Sequence, residues 1–482
     1  MNEMAGKKRD LLWLHITITV VIMFGFQYLP PIEPITPLGM NLLGIFIGLV
    51  YAWSTTSMIW PSLLGMVAIL FSDVVPLKTF LADGFGNETV VFVLFIFVFA
   101  AIIDEAGATS YLTSWFLSRK WIAGHPWRLV FLILVASYFA SAAASIFATI
   151  VILWSIVYNI CGRFGYKPYD KFPTLMLIGI PLVAVMGGCL FPFKVTPMVF
   201  MGAYKALTGM TIDYFKFVCF TFPMGFVTIL VYMFVCKFIF KLDLSPLKSI
   251  SNDLIPAEEL ILNKKQKIVF TLLAAFMILS LLPGLLPKTF ILAQILSKIE
   301  ATGILLIILV IMLWIRIDGK PLYDFKKMSS GIVWDMLLLF IVVFPLSSYL
   351  VADGTGIKLF LVNTISPLVQ DKPLIIFILV MTVVPTLLTN VANNAVVALV
   401  FLPVLFSVSE SIGVNPTPIA MTLVFLCTLA FMTPAASVQA AMLFGNVEWL
   451  RAKDIYRYVA VSLFFLMVVY IVLGLSWGSV LF

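Results

Sequence analysis

Apolar stretches of about 17–25 residues recur from one end of the chain to the other. That is the length a helix needs to cross the hydrocarbon of a bilayer at about 1.5 Å per residue. Eleven read as simple spans, at roughly 11–29, 38–53, 57–72, 88–116, 172–210, 217–240, 267–286, 302–316, 331–350, 415–445 and 457–476. Two further apolar segments, at about 129–160 and 373–407, do not. Each is longer than one crossing requires and is interrupted by small and polar residues. The first reads Ser141-Ala142-Ala143-Ala144-Ser145-Ile146-Phe147-Ala148-Thr149, and the second Thr389-Asn390-Val391-Ala392-Asn393-Asn394. A helical hairpin that dips into the membrane and returns accounts for both the length and the interruption. The pattern predicts an all-α polytopic membrane protein of about 11 transmembrane helices plus two re-entrant helical hairpins.

The order of features repeats. Gly107 and Gly354 follow similar apolar runs 247 residues apart, and Pro126 and Pro373 open the two hairpins at the same offset. Shifted by 248, Ser145 falls over Asn393 and Ser155 over Pro403. After each hairpin comes a helix broken by a Pro/Thr kink: Phe191-Pro192-Phe193-Lys194-Val195-Thr196-Pro197, then Thr433-Pro434-Ala435-Ala436-Ser437. We therefore divide the chain into N-terminal scaffold helices (1–87), a first repeat with its hairpin (88–240), a cytoplasmic loop with linking helices (241–330) and a second repeat with its hairpin (331–482). Inverted repeats whose broken helices meet at the midplane are the architecture of secondary transporters.

Charge orients the array. If both hairpins return to the side they came from, the inside holds 22 of the 30 lysines and arginines, the outside 7, and Lys194 lies within the membrane. The positive-inside rule then places the N-terminus in the cytoplasm and the C-terminus outside, in a multi-pass protein of the plasma membrane. The first apolar run follows Lys7, Lys8 and Arg9 without a small-residue cleavage site, which reads as a retained span. Composition agrees: 62% of residues are hydrophobic and 11% charged, with a mean hydropathy of +1.12, whereas soluble domains are nearer a quarter charged.

Little of the chain suits other chemistry. Five dispersed cysteines form no metal-type spacing and read as packing residues. There are two histidines, no nucleotide-binding motif for a pump, no nucleic-acid signature, and no convergent His, Cys or Asp set for a membrane enzyme. An enzyme is not expected, nor a cofactor beyond a coupling ion. Lys194 stands out. A charge at mid-membrane costs about 2.5–3.5 kcal/mol on insertion scales, and such residues are functional by default. Ser141, Ser145 and Thr149 share a helix face, which also suits close helix packing. Asp104 and Glu105, near a helix end, read as interface or loop residues.

These features resemble the divalent anion–sodium symporter family over about residues 40–475, in pattern more than identity. The second half carries the likeness. Asn393 and Asn394 match the serine and asparagine of that family's hairpin tip, and Phe431-Met432-Thr433-Pro434-Ala435-Ala436-Ser437 and Val333-Trp334-Asp335 resemble its break and a flanking helix. The resemblance implies an elevator-type carrier, usually a homodimer, of di- or tricarboxylates or sulfate, with sodium as coupling ion. Taken with the residues themselves, it points to substrate contacts at Ser145, Thr196, Asn393, Asn394 and Ser437, ion coupling through Lys194, Ser141, Thr149, Thr389, Asn390 and Thr433, and a sodium ligated by Asn394 and Ser437. The first half departs: Ile146 and Phe147 replace an asparagine and a threonine, Lys194 a glycine, and Met198 an asparagine. These are positions of the first sodium site, so that site is expected to be lost, with the lysine ammonium in its place. A sodium-independent exchanger or a proton-coupled carrier is the alternative. A cation–proton antiporter would need a carboxylate pair near the breaks, which the sequence does not display.

Overall fold

The computed structural model describes residues 2–119, 122, 124–249, 261–317, 319–370, 373–390, 394–434 and 436–482. Twenty-one α-helices run along them, with one two-residue strand pair. The first three, α1 (Asn2–Gly25), α2 (Pro37–Thr55) and α3 (Ile59–Leu70), pack in sequence. Then follow α4 (Leu77–Gly84), α5 (Glu88–Glu105), α6 (Ala108–Leu117), α7 (Pro126–Ala143), α8 (Ile146–Phe164), α9 (Lys171–Gly187), α10 (Val195–Thr208) and α11 (Tyr214–Phe234). Two long apolar helices, α12 (Lys264–Leu285) and α13 (Ile291–Trp314), precede the second series. That series comprises α14 (Phe325–Met328), α15 (Trp334–Leu350), α16 (Ile357–Gln370), α17 (Leu374–Leu388), α18 (Asn394–Ser411), α19 (Thr417–Cys427), α20 (Val438–Gly445) and α21 (Ala452–Leu481).

The two series correspond element by element. Each opens with a short helix bent sharply into a long one, by 45° between α4 and α5 and by 67° between the 325–331 segment and α15. In each, the hairpin (α7–α8, α17–α18) folds back on itself and packs against the helix before it and the helix after it. Left-handed glycines close both second arms, Gly165 after α8 and Gly413 two residues beyond α18. Such positions favour glycine because a Cβ is strained there.

Eight of the described helices are long and apolar enough to cross a membrane, or ten with each bent pair counted as one. Large apolar side chains such as Phe71, Ile278, Phe464 and Val472 lie on the outside of the molecule, an arrangement suited to lipid and not to water. The chain is a multi-pass membrane protein.

One span divides differently from the sequence reading. The run 88–116 is not one helix: α5 stops at Glu105, and Gly107 at φ 74° turns the chain into α6. In the second series a left-handed glycine falls at Gly356, at φ 69°, and Gly354 lies inside a short 3-10 turn. The span read at 302–316 matches the second part of α13, which is kinked at Glu300 (φ 53°, ψ −175°); a further helical stretch precedes it from Ile291. The short helices α4, α14 and α16 were not read at all; their apolar content is too brief or too mixed to register as spans.

Candidate functional site

At the first hairpin α7 ends at Ala143, and Ser145 caps α8 by accepting a hydrogen bond from the Ala148 N–H at 3.3 Å. Two residues, Ala144 and Ser145, make the tip. Ser141 and Thr149 flank it, fully buried. Both hydroxyls are committed to local carbonyls, Ser141 to Ser137 at 2.6 Å and Thr149 to Ser145 at 2.8 Å. The tip is pressed against the end of α9. A Cβ on Gly187 would overlap the Tyr138 carbonyl and the Ser141 hydroxyl, and one on Gly188 would overlap the Ile146 side chain. Glycine at both positions is therefore a packing requirement.

Lys194 lies in the first break, immediately before α10, and is partly buried. Its Nζ donates to the Ala144 carbonyl at 2.6 Å, a charge-assisted bond to the hairpin tip. Asp104, read from sequence as an interface or loop residue, is brought to the same place. It lies close enough to Lys194 for the two charges to act on each other. Lys194 also borders an apolar cavity of about 40 Å³ with Ile103, Ala143, Phe193 and Phe276.

The second break is organised differently. Asn390, buried at the end of the first hairpin arm, uses its whole amide. Its Oδ1 accepts from the backbone N–H groups of Phe431 (3.0 Å) and Met432 (2.8 Å), and its Nδ2 donates to the Thr386 carbonyl (2.8 Å). Thr433 donates to the Asn390 carbonyl at 2.6 Å, and Thr389 to the Cys427 carbonyl at the end of α19 at 2.8 Å. Ser437 caps α20 by accepting from the Ala440 N–H, and donates to the Ala430 carbonyl at 2.7 Å. A helix broken inside a bilayer exposes backbone groups that lipid cannot satisfy; here short polar side chains satisfy them. The hydroxyls of Thr433 and Ser437 each donate once and keep acceptor capacity, which suits a hard cation.

Thr196 and Asn394 meet across a cavity of about 70 Å³ that also has Met336, Leu402 and Thr428 in its wall. Thr196 is in the first turn of α10 and Asn394 opens α18. Two helix N-termini thus converge on one space, and each favours negative charge through its partial positive end. One water needs about 10–15 Å³ of such space, so the cavity is on the scale of a small polyatomic anion. Asn393 lies outside the described residues. The five cysteines are free and mostly buried, and no cluster of three or more metal-ligating side chains occurs among the described residues.

A second polar group was invisible to sequence reading. Lys205 near the end of α10 pairs with Glu88 at 2.6 Å, and Glu300 of α13 lines the same cavity. These residues are 95 or more positions apart, and no local pattern links them.

A polytopic helical array with paired hairpins beside paired helix breaks defines the class of membrane carriers. The chain belongs to the citrate transporter family, whose profile matches residues 46–426, in agreement with the resemblance to the divalent anion–sodium symporters. Among individual relatives, human solute carrier family 13 member 1 is 32% identical over 134 residues, 27% of this chain and 22% of that one. The mouse Na(+)/citrate cotransporter is 25% identical over 166 residues, 33% of this chain and 27% of that one. The sodium-dependent dicarboxylate transporter SdcS of Staphylococcus saprophyticus is 23% identical over 288 residues, 58% and 54% of the two chains. The matches thus span about a quarter of the mammalian relatives' length and about half of the staphylococcal one. In fold, the chain is similar to the YdaH transporter of Alcanivorax borkumensis (TM-score 0.60, 13% identity, 92% and 97% coverage). It is likewise similar to MtrF of Neisseria gonorrhoeae (TM-score 0.60, 15% identity, 97% and 94% coverage).

Proposed function

We propose that the chain is a secondary active carrier of a small anion, a di- or tricarboxylate or sulfate, coupled to a cation gradient. The observation that carries this reading is the convergence of Thr196 and Asn394, at two helix N-termini, on one cavity beside both breaks. The substrates for which the relatives are named, citrate and dicarboxylates, agree with an anion there. Ser145, Asn393 and Ser437 complete the proposed anion contacts. Sodium is the proposed coupling ion, held in the second half by Asn394 and Ser437, with Thr389, Asn390 and Thr433 shaping the loop. In the membrane the hairpins are re-entrant, the two series are inverted relative to each other, and the N-terminus is cytoplasmic. The carrier works as a homodimer of the elevator type.

A second reading, a sodium-independent exchanger or proton-coupled carrier, draws support from the Lys194 Nζ contact with the Ala144 carbonyl. An ammonium already occupies the tip where a coupling cation would sit. Counterflow of labelled succinate, citrate and sulfate in proteoliposomes, with and without sodium and at two pH values, separates the readings. Sodium-stimulated counterflow of one anion is expected. Counterflow of none of the three would refute the carrier reading for these substrates, and sodium-independent counterflow would select the second.

A further inference from the structure

We infer that the cavity at the ends of α10 and α12 is a binding site for a small organic cation that carries an ammonium group. The inference goes beyond the carrier reading and does not rest on it. The cavity has a volume of about 230 Å³ and shares no wall residue with the one lined by Thr196 and Asn394. Five helices bring it one polar residue each. Glu88 opens α5, Lys205 lies in the last turn of α10, Asp213 caps α11, Ser280 lies near the end of α12, and Glu300 stands at the kink of α13. Three carboxylates thus share the wall with one ammonium. Lys205 balances Glu88, to which it is paired at 2.6 Å. Asp213 is partly used, since its Oδ1 accepts from the Lys216 N–H at 2.9 Å. The surplus negative charge falls on Asp213 and Glu300.

Ser280 is an independent sign of a ligand. It is 6% exposed and lines the cavity, and its Oγ has no hydrogen-bond partner among the described residues. A serine inside a helix can donate to the carbonyl one turn back; this one does not. A buried hydroxyl left unpaired is costly, and native proteins keep few of them. An ammonium has three donors and no acceptor. It can therefore donate to the Ser280 hydroxyl and to the Glu300 carboxylate together. An anion would meet the surplus carboxylates and be repelled. A bare metal ion is not matched either, because no cluster of three or more metal-ligating side chains occurs among the described residues. One water needs about 10–15 Å³, so the space takes a carbon skeleton, and Phe92, Leu296 and Ile304 give it apolar wall. The last turns of α10 and α12 border the cavity, and the partial negative end of a helix favours a cation. The Lys205–Glu88 pair is 42% and 43% exposed; such a pair contributes little and yields readily to a ligand.

The test is equilibrium binding of radiolabelled butylamine, protonated at neutral pH, to purified protein in a detergent without amino groups, at fixed ionic strength. Saturable binding is expected in wild type, with no competition by butyrate or butanol. Glu300→Gln is expected to weaken it roughly tenfold to hundredfold, the scale of one lost bond to a charged group, and Ser280→Ala by a smaller factor. Lys205→Met is expected to tighten binding, because it removes the one positive charge from the wall. A variant that fails to fold cannot gain affinity, so this arm stands even where the others unfold. The ammonium can be free or belong to a phospholipid headgroup. Competition by added phosphatidylethanolamine but not by phosphatidylglycerol would name the headgroup as the source, and competition by neither would name a free amine. Wild type without saturable butylamine binding would overturn the inference. So would equal competition by butyrate, or Glu300→Gln and Lys205→Met variants that both bind like wild type. Anion counterflow can succeed or fail without moving any of these readouts.

Discussion

The two hairpins solve one physical problem with different chemistry. Each ends a helix inside the molecule and leaves backbone groups to satisfy. At the first tip the solution is ionic: a lysine from the break holds the Ala144 carbonyl through a charge-assisted bond. At the second it is neutral: an asparagine, two threonines and a serine share the carbonyls and N–H groups of the break. The difference teaches where acceptor capacity remains: the first carbonyl already holds an ammonium, whereas the hydroxyls of the second break keep unused lone pairs.

The most damaging substitution should fall in the neutral half. Asn390→Ala removes one acceptor and one donor that serve three backbone groups, and each orphaned buried group costs on the order of 1–3 kcal/mol. A large drop in thermal unfolding temperature is expected, with loss of anion uptake. An Asn390→Ala protein with native stability would show that water replaces the amide, and the neutral half would not need its asparagine.

Cap serines sharpen the comparison further. Ser145→Ala and Ser437→Ala each remove a helix N-cap, at about 1 kcal/mol, so similar small losses of stability are expected. Their ion responses should differ. Half-saturation by sodium should rise for Ser437→Ala and stay unchanged for Ser145→Ala in uptake titrations. An equal rise in both would erase the asymmetry. The smallest effect is expected from Thr149→Val. Its hydroxyl bonds only the Ser145 carbonyl, which also accepts the Thr149 N–H at 3.1 Å, so stability should change by less than about 1 kcal/mol and uptake hardly at all.

The hairpins and breaks were legible because they offend hydrophobic continuity. Polar residues in the middle of a long apolar run have few explanations in lipid, and Pro126 and Pro373 mark where the first arms begin. Ser145 and Ser437 as cap residues, and Lys194 as the exceptional charge, were legible for the same reason. The nearness of Asp104 to Lys194 was not. It lies in the last turn of α5, 90 residues before Lys194, and only tertiary packing brings the two charges near each other. The roles of Ser141 and Thr149 were open from spacing alone; their structure places them as buried hydroxyls bonded within their own hairpin. Helices α4, α14 and α16 were missed because short helices lack the length that makes apolar periodicity readable.

The start of α10 has a mechanical consequence. Lys194 touches the first tip, and Thr196, two residues later, lines the cavity that the second hairpin opens onto. Lys194 is the extended residue that leads into α10, and Thr196 is in its first turn. The start of this one helix is thus a shared abutment for both hairpins, and an insertion between residues 194 and 196 would uncouple the position of one tip from that of the other.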